Sequence, residues 1–366
     1  MSSNRVITVT ANAKAEILDV AVPELPGPDY ILVKVTAVAL NPTDWKHIDQ
    51  ADFFGCVGAN LGCDYAGIVE KVGSGVTKEF KKGDRISGPV NGGNGLSHVN
   101  GSFGNYIVVK GDLQIKTPDN ISDEQAATLG IAVTTATLAN AFFSLLCSQG
   151  QGLYQKLGLP LPSPTSSSTG TILIYGGSGA MGNMGIQFAK LSGFEVITTC
   201  SPRNFDLVKA LGADHVFDYN DAGSAAAIRQ LTNNKLAYAW DTISKPETGR
   251  FCAEALSTEG GKYSSLLPGV EDAIKEVNPK VQVDMSVFYA AFGEPFKLVA
   301  EVPADMENYE FAKKIWSLAA GWLSEGKLKP SKVDLNRGGK SFEGIFVGLD
   351  YLKKGNVSGA KLVYTI

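Results

Sequence analysis

Tyr175-Gly176-Gly177-Ser178-Gly179-Ala180-Met181-Gly182-Asn183-Met184-Gly185 follows the apolar run Thr171-Ile172-Leu173-Ile174 and runs on into Ile186-Gln187-Phe188-Ala189-Lys190-Leu191. Strand, glycine turn and helix in that order make a cradle for a pyrophosphate. Glycine lets the backbone turn sharply and approach a ligand, while the unpaired N–H groups and the dipole of the new helix face its negative charge. The spacing Gly176, Gly179, Gly182 is GxxGxxG, and Gly makes up 41 of 366 residues, so the flanking strand and helix carry the specificity. A dinucleotide is the expected occupant, held by Ser178, Gly179, Ala180, Met181 and Gly182.

From Thr171 onward, strands alternate with helices. Val196-Ile197-Thr198-Thr199-Cys200 precedes a helix at 205–211, and Val216-Phe217-Asp218-Tyr219 one at 225–231. Leu236-Ala237-Tyr238-Ala239-Trp240 precedes a helix at 248–256, then comes Gly261-Lys262-Tyr263-Ser264-Ser265. This alternation predicts a doubly wound parallel sheet of the α/β class. Residues 1 to about 125 read differently, as short strands such as Tyr30-Ile31-Leu32-Val33-Lys34-Val35 and Tyr106-Ile107-Val108-Val109 broken by glycine turns, which suits a partly closed antiparallel barrel. Ser122 with Gln125 forms a capping-box signature that opens a helix. Residues 310–323 form a further amphipathic helix, and the tail beyond Lys329 is expected to return to the first domain. Two domains result, 1–137 with 330–366 and 138–329, the latter including a Pro/Ser-rich surface excursion at 150–170. A cleft between them is expected to hold cofactor and substrate.

With 33 Lys plus Arg against 37 Asp plus Glu, a net charge of -4 leaves no basic excess for nucleic acid. Cys56, Cys63, Cys147, Cys200 and Cys252 are odd in number and lack CxxC spacing, which favours reduced thiols in a cytoplasmic protein. The start lacks a signal-peptide core. The charge-free segment 126–155 reads as a buried helix rather than a membrane span, because its threonines and asparagine break the apolar run.

A dinucleotide fold reads the adenosine ribose at the end of its second strand, where an acid selects NAD and a cation accommodates the 2′-phosphate of NADP. Here that end is Thr199-Cys200-Ser201-Pro202-Arg203-Asn204, with no carboxylate before Asp206. NADPH is the expected cofactor. The alternative reading keeps Ser201 or Asn204 as helix caps and Arg203 as a solvated charge. Tyr219, Leu266 and Leu267 follow strand ends and are expected to flank the cofactor's rings. Phe288, Tyr289, Phe292 and Phe296 suit either an acyl chain or core packing, the latter favoured by the usual burial of aromatics. His47, His98 and His215 show no triad or ligand spacing.

Asn41-Pro42-Thr43-Asp44-Trp45-Lys46, Gly62-Cys63-Asp64-Tyr65-Ala66-Gly67, Gly83-Asp84-Arg85-Ile86, the glycine loop and Leu211-Gly212-Ala213-Asp214 follow one another in an order that resembles the medium-chain dehydrogenase/reductases of quinone-reductase type. Gly158-Leu159-Pro160-Leu161-Pro162-Ser163-Pro164, Cys200-Ser201-Pro202-Arg203-Asn204-Phe205-Asp206 and Ser358-Gly359-Ala360-Lys361-Leu362-Val363 further resemble the trans-acting enoyl reductases of fungal polyketide pathways, the lovastatin type among them. Those proteins serve a synthase whose own reductase domain is inactive. The resemblance implies a GroES-like barrel joined to a Rossmann domain, and an NADPH enoyl reductase that acts, as a monomer, on an acyl thioester carried by a polyketide synthase or a hybrid synthase–peptide synthetase.

It also implies site roles. Lys46 falls where the family brings the first domain against the cofactor, with Thr43, Asp44 and Trp45 shaping the same wall; the competing reading is a surface lysine beside a turn. Thr134 and Thr135 match the substrate channel, or else satisfy a helix interior. Val357 and Ser358 are brought to the cofactor by the same resemblance. Lys46 and Thr135 are the candidate catalytic groups. Zinc-containing relatives take ligands from a Cys before the Ser/Thr-Asp pair, a Gly-His-Glu histidine and a later Cys or Asp. This chain has Asn41 or Pro42 and Cys63-Asp64 at the first two places and lacks the four-cysteine lobe, so no metal is expected. Two rival functions remain open, a quinone or alkenal reductase on free small molecules and a non-catalytic NADPH-binding partner.

Overall fold

The computed structural model describes residues 3–137, 153–154, 157–162, 170–297 and 300–366. The chain divides into two compact units, 1–134 with 289–366, and 135–288. Much of the excursion expected at 150–170, including Pro164 and Ser166 to Thr169, lies outside the described residues, as do Asn140 and Cys147.

In the second unit the strand Thr171–Tyr175 lies inside a six-stranded sheet whose pairings are all parallel. The chain steps outward to Glu195–Thr199 and His215–Phe217, then crosses back to Tyr238–Asp241, Gly261–Ser265 and Val281–Met285 on the other side. The strand order therefore reverses beside Thr171–Tyr175, the switch point where such sheets bind ligands. Leu173, Ile197, Ala239 and Tyr263 are fully buried, as expected for strands covered on both faces. The last strand, Val281–Met285, was not expected, because Gln282 and Asp284 interrupt its apolar pattern.

In the first unit a seven-stranded sheet is organised around Tyr30–Ala39. This strand pairs antiparallel with Asp64–Val72 on one edge and shares the other edge between Tyr106–Lys110 and Lys361–Thr365. The C-terminal return to the first unit is thus a hydrogen-bonded strand. A hairpin, Ser3–Ala11 with Lys14–Ala21, lies beside it. Ile7, Ile31, Val33, Tyr65, Val69, Ile86 and Phe103 form the core with Phe342 and Ile345 of the helix Ser341–Lys353. The four-residue helix Asp123–Ala126 carries the expected capping box of Ser122 and Gln125.

The second boundary falls at 288/289 rather than the expected 329/330. Side chains explain it: Glu294 accepts from the Tyr30 hydroxyl and pairs with Lys110 at 2.8 Å, and Asn120 Nδ2 donates to Leu323 O at 3.0 Å. Among the described residues no helix is long and apolar enough to cross a membrane.

Candidate functional site

The cradle in the second unit depends on two glycines. Gly176 has φ +83°, in the left-handed region, and a Cβ on Gly182 would sit 2.3 Å from Gly176 O. Only a bare Cα lets the helix Ala180–Leu191 start so close to the strand end. Its N-cap is Gly179, with no capping side chain, so its first N–H groups stay available to an anion. Asn183 Nδ2 takes the carbonyls of Ser178 and Gly179 at 3.1 and 2.8 Å and fixes the turn. The sequence reading missed Asn183, whose signal was an asparagine one turn into a glycine-loop helix.

At the second strand's end, Ser201 Oγ and the Tyr219 hydroxyl are 2.9 Å apart. Pro202–Asn204 form a single 3-10 turn, and Arg203 is exposed with no acidic partner within 4 Å among the described residues. Asp206 lies in the following helix, Phe205–Ala210. Ser201 and Tyr219 are therefore brought together, with the exposed Arg203 two residues along the chain, and hydroxyls with a guanidinium fit a phosphorylated ribose. The Leu266–Leu267 segment is held by a relay. Leu266 N donates to Ser244 Oγ at 2.7 Å, and Ser244 Oγ donates to Asp241 O at 2.9 Å. Buried Asp241 in turn accepts from Thr248 and Tyr263 hydroxyls at 2.6 and 2.7 Å. Asp241, too, escaped the sequence reading, since an acid closing an apolar strand has no motif of its own.

In the first unit the helix Pro42–Asp49 carries the second cluster. Thr43 Oγ1 and the Tyr289 hydroxyl are 2.5 Å apart, and Tyr289 lies 3.5 Å from His47 Nε2. Burial pushes His47 down to about 4, so its ring is neutral near pH 7. Lys46 is partly buried, its Nζ 5.7 Å from the Trp45 ring and without an acidic partner among the described residues. Desolvation lowers its pKa. Asp44 departs from expectation: it is 0% exposed, and its Oδ2 accepts Asn41 N at 2.7 Å. It serves the helix start. Burial pushes its carboxyl up to about 8.

Thr134 likewise lies inside, on the helix Gly130–Thr137, where its hydroxyl accepts from Trp316 Nε1 at 3.1 Å. Thr135 follows it, buried at 6% exposure. Phe292 and Phe296 are buried in the first unit and Phe288 in the second, as core packing requires, whereas Tyr289 is partly buried. Val357 packs against the first unit's core, and Ser358 lies in the loop before Lys361–Thr365.

The positions that hold zinc in relatives do not fit an ion here. Cys63 is fully buried, its thiol pushed well above the usual range by desolvation, and it donates to Gly92 O. Both Asp64 oxygens are taken: Oδ1 by Ile131 N at 2.5 Å, and Oδ2 by Asn41 Nδ2 at 2.9 Å and by the ammonium of Lys361. Among the described residues no group of three His, Cys, Asp or Glu could hold a metal.

Residues 27–119 match the alcohol dehydrogenase GroES-like domain and residues 180–287 the zinc-binding dehydrogenase family. Over the whole of both chains the protein is 41% identical to trans-enoyl reductase ACTTS2 of Alternaria alternata. It is 38% identical to lovC, the enoyl reductase component of lovastatin nonaketide synthase of Aspergillus terreus, over 93% of this chain and 90% of that one. A solved quinone oxidoreductase of Coxiella burnetii shares the fold at a TM-score of 0.70 and 22% identity, covering 100% of both chains.

Proposed function

Since the chain belongs to the trans-enoyl reductases of the medium-chain dehydrogenase/reductase family, we propose that it is an NADPH-dependent enoyl reductase acting in trans on an α,β-unsaturated thioester carried by a polyketide synthase, without zinc. NADPH, when bound, supplies the hydride that reduces the β-carbon. The chain's own task is to hold both reactants and stabilise the charge that moves onto the thioester oxygen as an enolate. Lys46 is the donor we assign to that oxygen. Among the described residues no carboxylate pairs with its partly buried ammonium, and a desolvated cation interacts with a developing oxyanion far more strongly than one in water. Thr135 is the second candidate donor. Thr43, held by Tyr289, shapes the wall beside Lys46.

The cofactor choice is supported by the Ser201–Tyr219 hydroxyl pair and the exposed Arg203 two residues after Ser201, in a strand-end segment, 199–204, that lacks an acid. One observation carries the reading: among the described residues the partly buried Lys46 ammonium has no acidic partner, while the first two zinc-ligand places of relatives fall here on Asn41 or Pro42 and on a buried, protonated Cys63. Conjugate reduction needs an oxyanion donor rather than a Lewis acid.

Purified protein with NADPH is expected to saturate an enoyl pantetheine thioester faster than free enones or quinones, seen as a two-hydrogen mass gain. Lys46→Ala is expected to lower kcat about 10² to 10³-fold. Faster turnover of free enones would overturn the carrier-bound assignment, and an unchanged kcat in Lys46→Ala would remove that residue from the chemistry.

A further inference from the structure

The residues that fail to make a metal site are joined in another arrangement. Asp64 opens the strand Asp64–Val72, paired on one side with Ala39 and on the other with Pro89, and its carboxylate is 0% exposed. Oδ1 accepts the N–H of Ile131, in the first turn of Gly130–Thr137. Oδ2 accepts the side-chain amide of Asn41, the N-cap residue of Pro42–Asp49. A single carboxylate thus reaches the starts of both helices that carry the candidate catalytic groups, Lys46 on one and Thr135 on the other.

The approach is close. A Cβ on Gly130 would lie 2.4 Å from Asp64 Oδ1, so the second helix can begin against the carboxylate only because it begins with glycine. Lys361, 3% exposed on the last strand, places its ammonium on Oδ2 and so compensates the buried negative charge. The same ammonium lies 3.4 Å from Thr128 O, just ahead of the second helix.

We infer that Asp64 and Lys361 are positioning residues, a buried ion pair that sets the two helix starts relative to each other. The inference rests on the functional reading above for the importance of Lys46 and Thr135, and on geometry alone for the anchoring.

Two paired substitutions remove both charges together, so that neither is left uncompensated. Asp64→Asn with Lys361→Met keeps one accepting oxygen, and Asp64→Leu with Lys361→Met keeps none. Amide hydrogen exchange in the first turns of Pro42–Asp49 and Gly130–Thr137 is expected to accelerate about tenfold or more, further in the leucine variant, with amides of the parallel sheet unchanged. NADPH affinity is expected to stay within about twofold, while kcat on the enoyl thioester falls about 10- to 100-fold with little change in its KM, as misplacement of a donor by an ångström does. Native exchange in both helices of a folded variant overturns the inference. So does faster exchange with kcat unchanged, or a fall in kcat with exchange unchanged. A wild-type protein that turns over no enoyl thioester would instead overturn the functional reading, and the exchange measurement would still decide whether the ion pair anchors the helices.

Discussion

Arg203 is exposed two residues after Ser201, whose hydroxyl meets that of Tyr219, where a second-strand carboxylate would have excluded a phosphate. Arg203→Ala is expected to weaken NADPH binding about 10- to 150-fold and spare NADH, in paired fluorescence titrations. Three residues before His47, Asp44 gives a pH signature. Its native carboxyl is raised to about 8 from 3.8, so between those values the folded state holds a proton that the unfolded state has released, and stability falls as pH rises. His47, lowered to about 4 from 6.5, acts oppositely, its contribution being lost as pH falls through that window. The two offset each other between about 4 and 6.5, and only the Asp44 effect remains above. Asp44→Asn should therefore gain stability relative to wild type from pH 6.5 to 8, by at most about 1.4 kcal/mol per pH unit in denaturant unfolding. Neither burial was legible in the sequence. Asp44 sits in a motif whose neighbours Thr43 and Lys46 are only partly buried, and nothing in residue order tells a wall residue from one turned inward to its own helix start.

The glycine loop was legible because one peptide segment makes the whole device: strand, turn and helix are consecutive, and the close approach is enforced by residues six apart. Gly182→Ala would drive a Cβ into backbone, 2.3 Å from Gly176 O and 2.6 Å from Gly177 Cα. Isothermal titration should show NADPH affinity reduced about tenfold or more, and the overpacking should cost about 1–3 kcal/mol of stability. The parallel strands and their helices were legible for a similar reason, as continuous apolar runs such as Ile172-Leu173-Ile174 announce burial on both faces. Val281–Met285 was not, since an edge strand tolerates Gln282 and Asp284. Elements joined by distant side chains were also invisible. Asn41, Asp64, Ile131 and Lys361 meet through hydrogen bonds that leave no periodicity in the chain.

Over the whole molecule, the segment after Tyr289 is tied to the first unit by side-chain contacts that its helical pattern does not reveal. Glu294 joins Tyr30 and Lys110, and Lys110 also pairs with Asp29 at 2.6 Å. Glu294→Gln should destabilise the protein by about 1–3 kcal/mol in thermal unfolding and leave NADPH affinity unchanged, the cofactor residues assigned to the second unit being untouched. The strand Tyr30–Ala39 meets Lys361–Thr365 with Ala39 opposite Val363, more than three hundred residues later. At a synthesis rate of about 5–20 residues per second, the early strand waits roughly 15 to 60 s on the ribosome for that neighbour. The dinucleotide unit, continuous from 135 to 288, emerges entirely within the interval. It can fold while the first unit is still a nascent sheet with an unfilled edge.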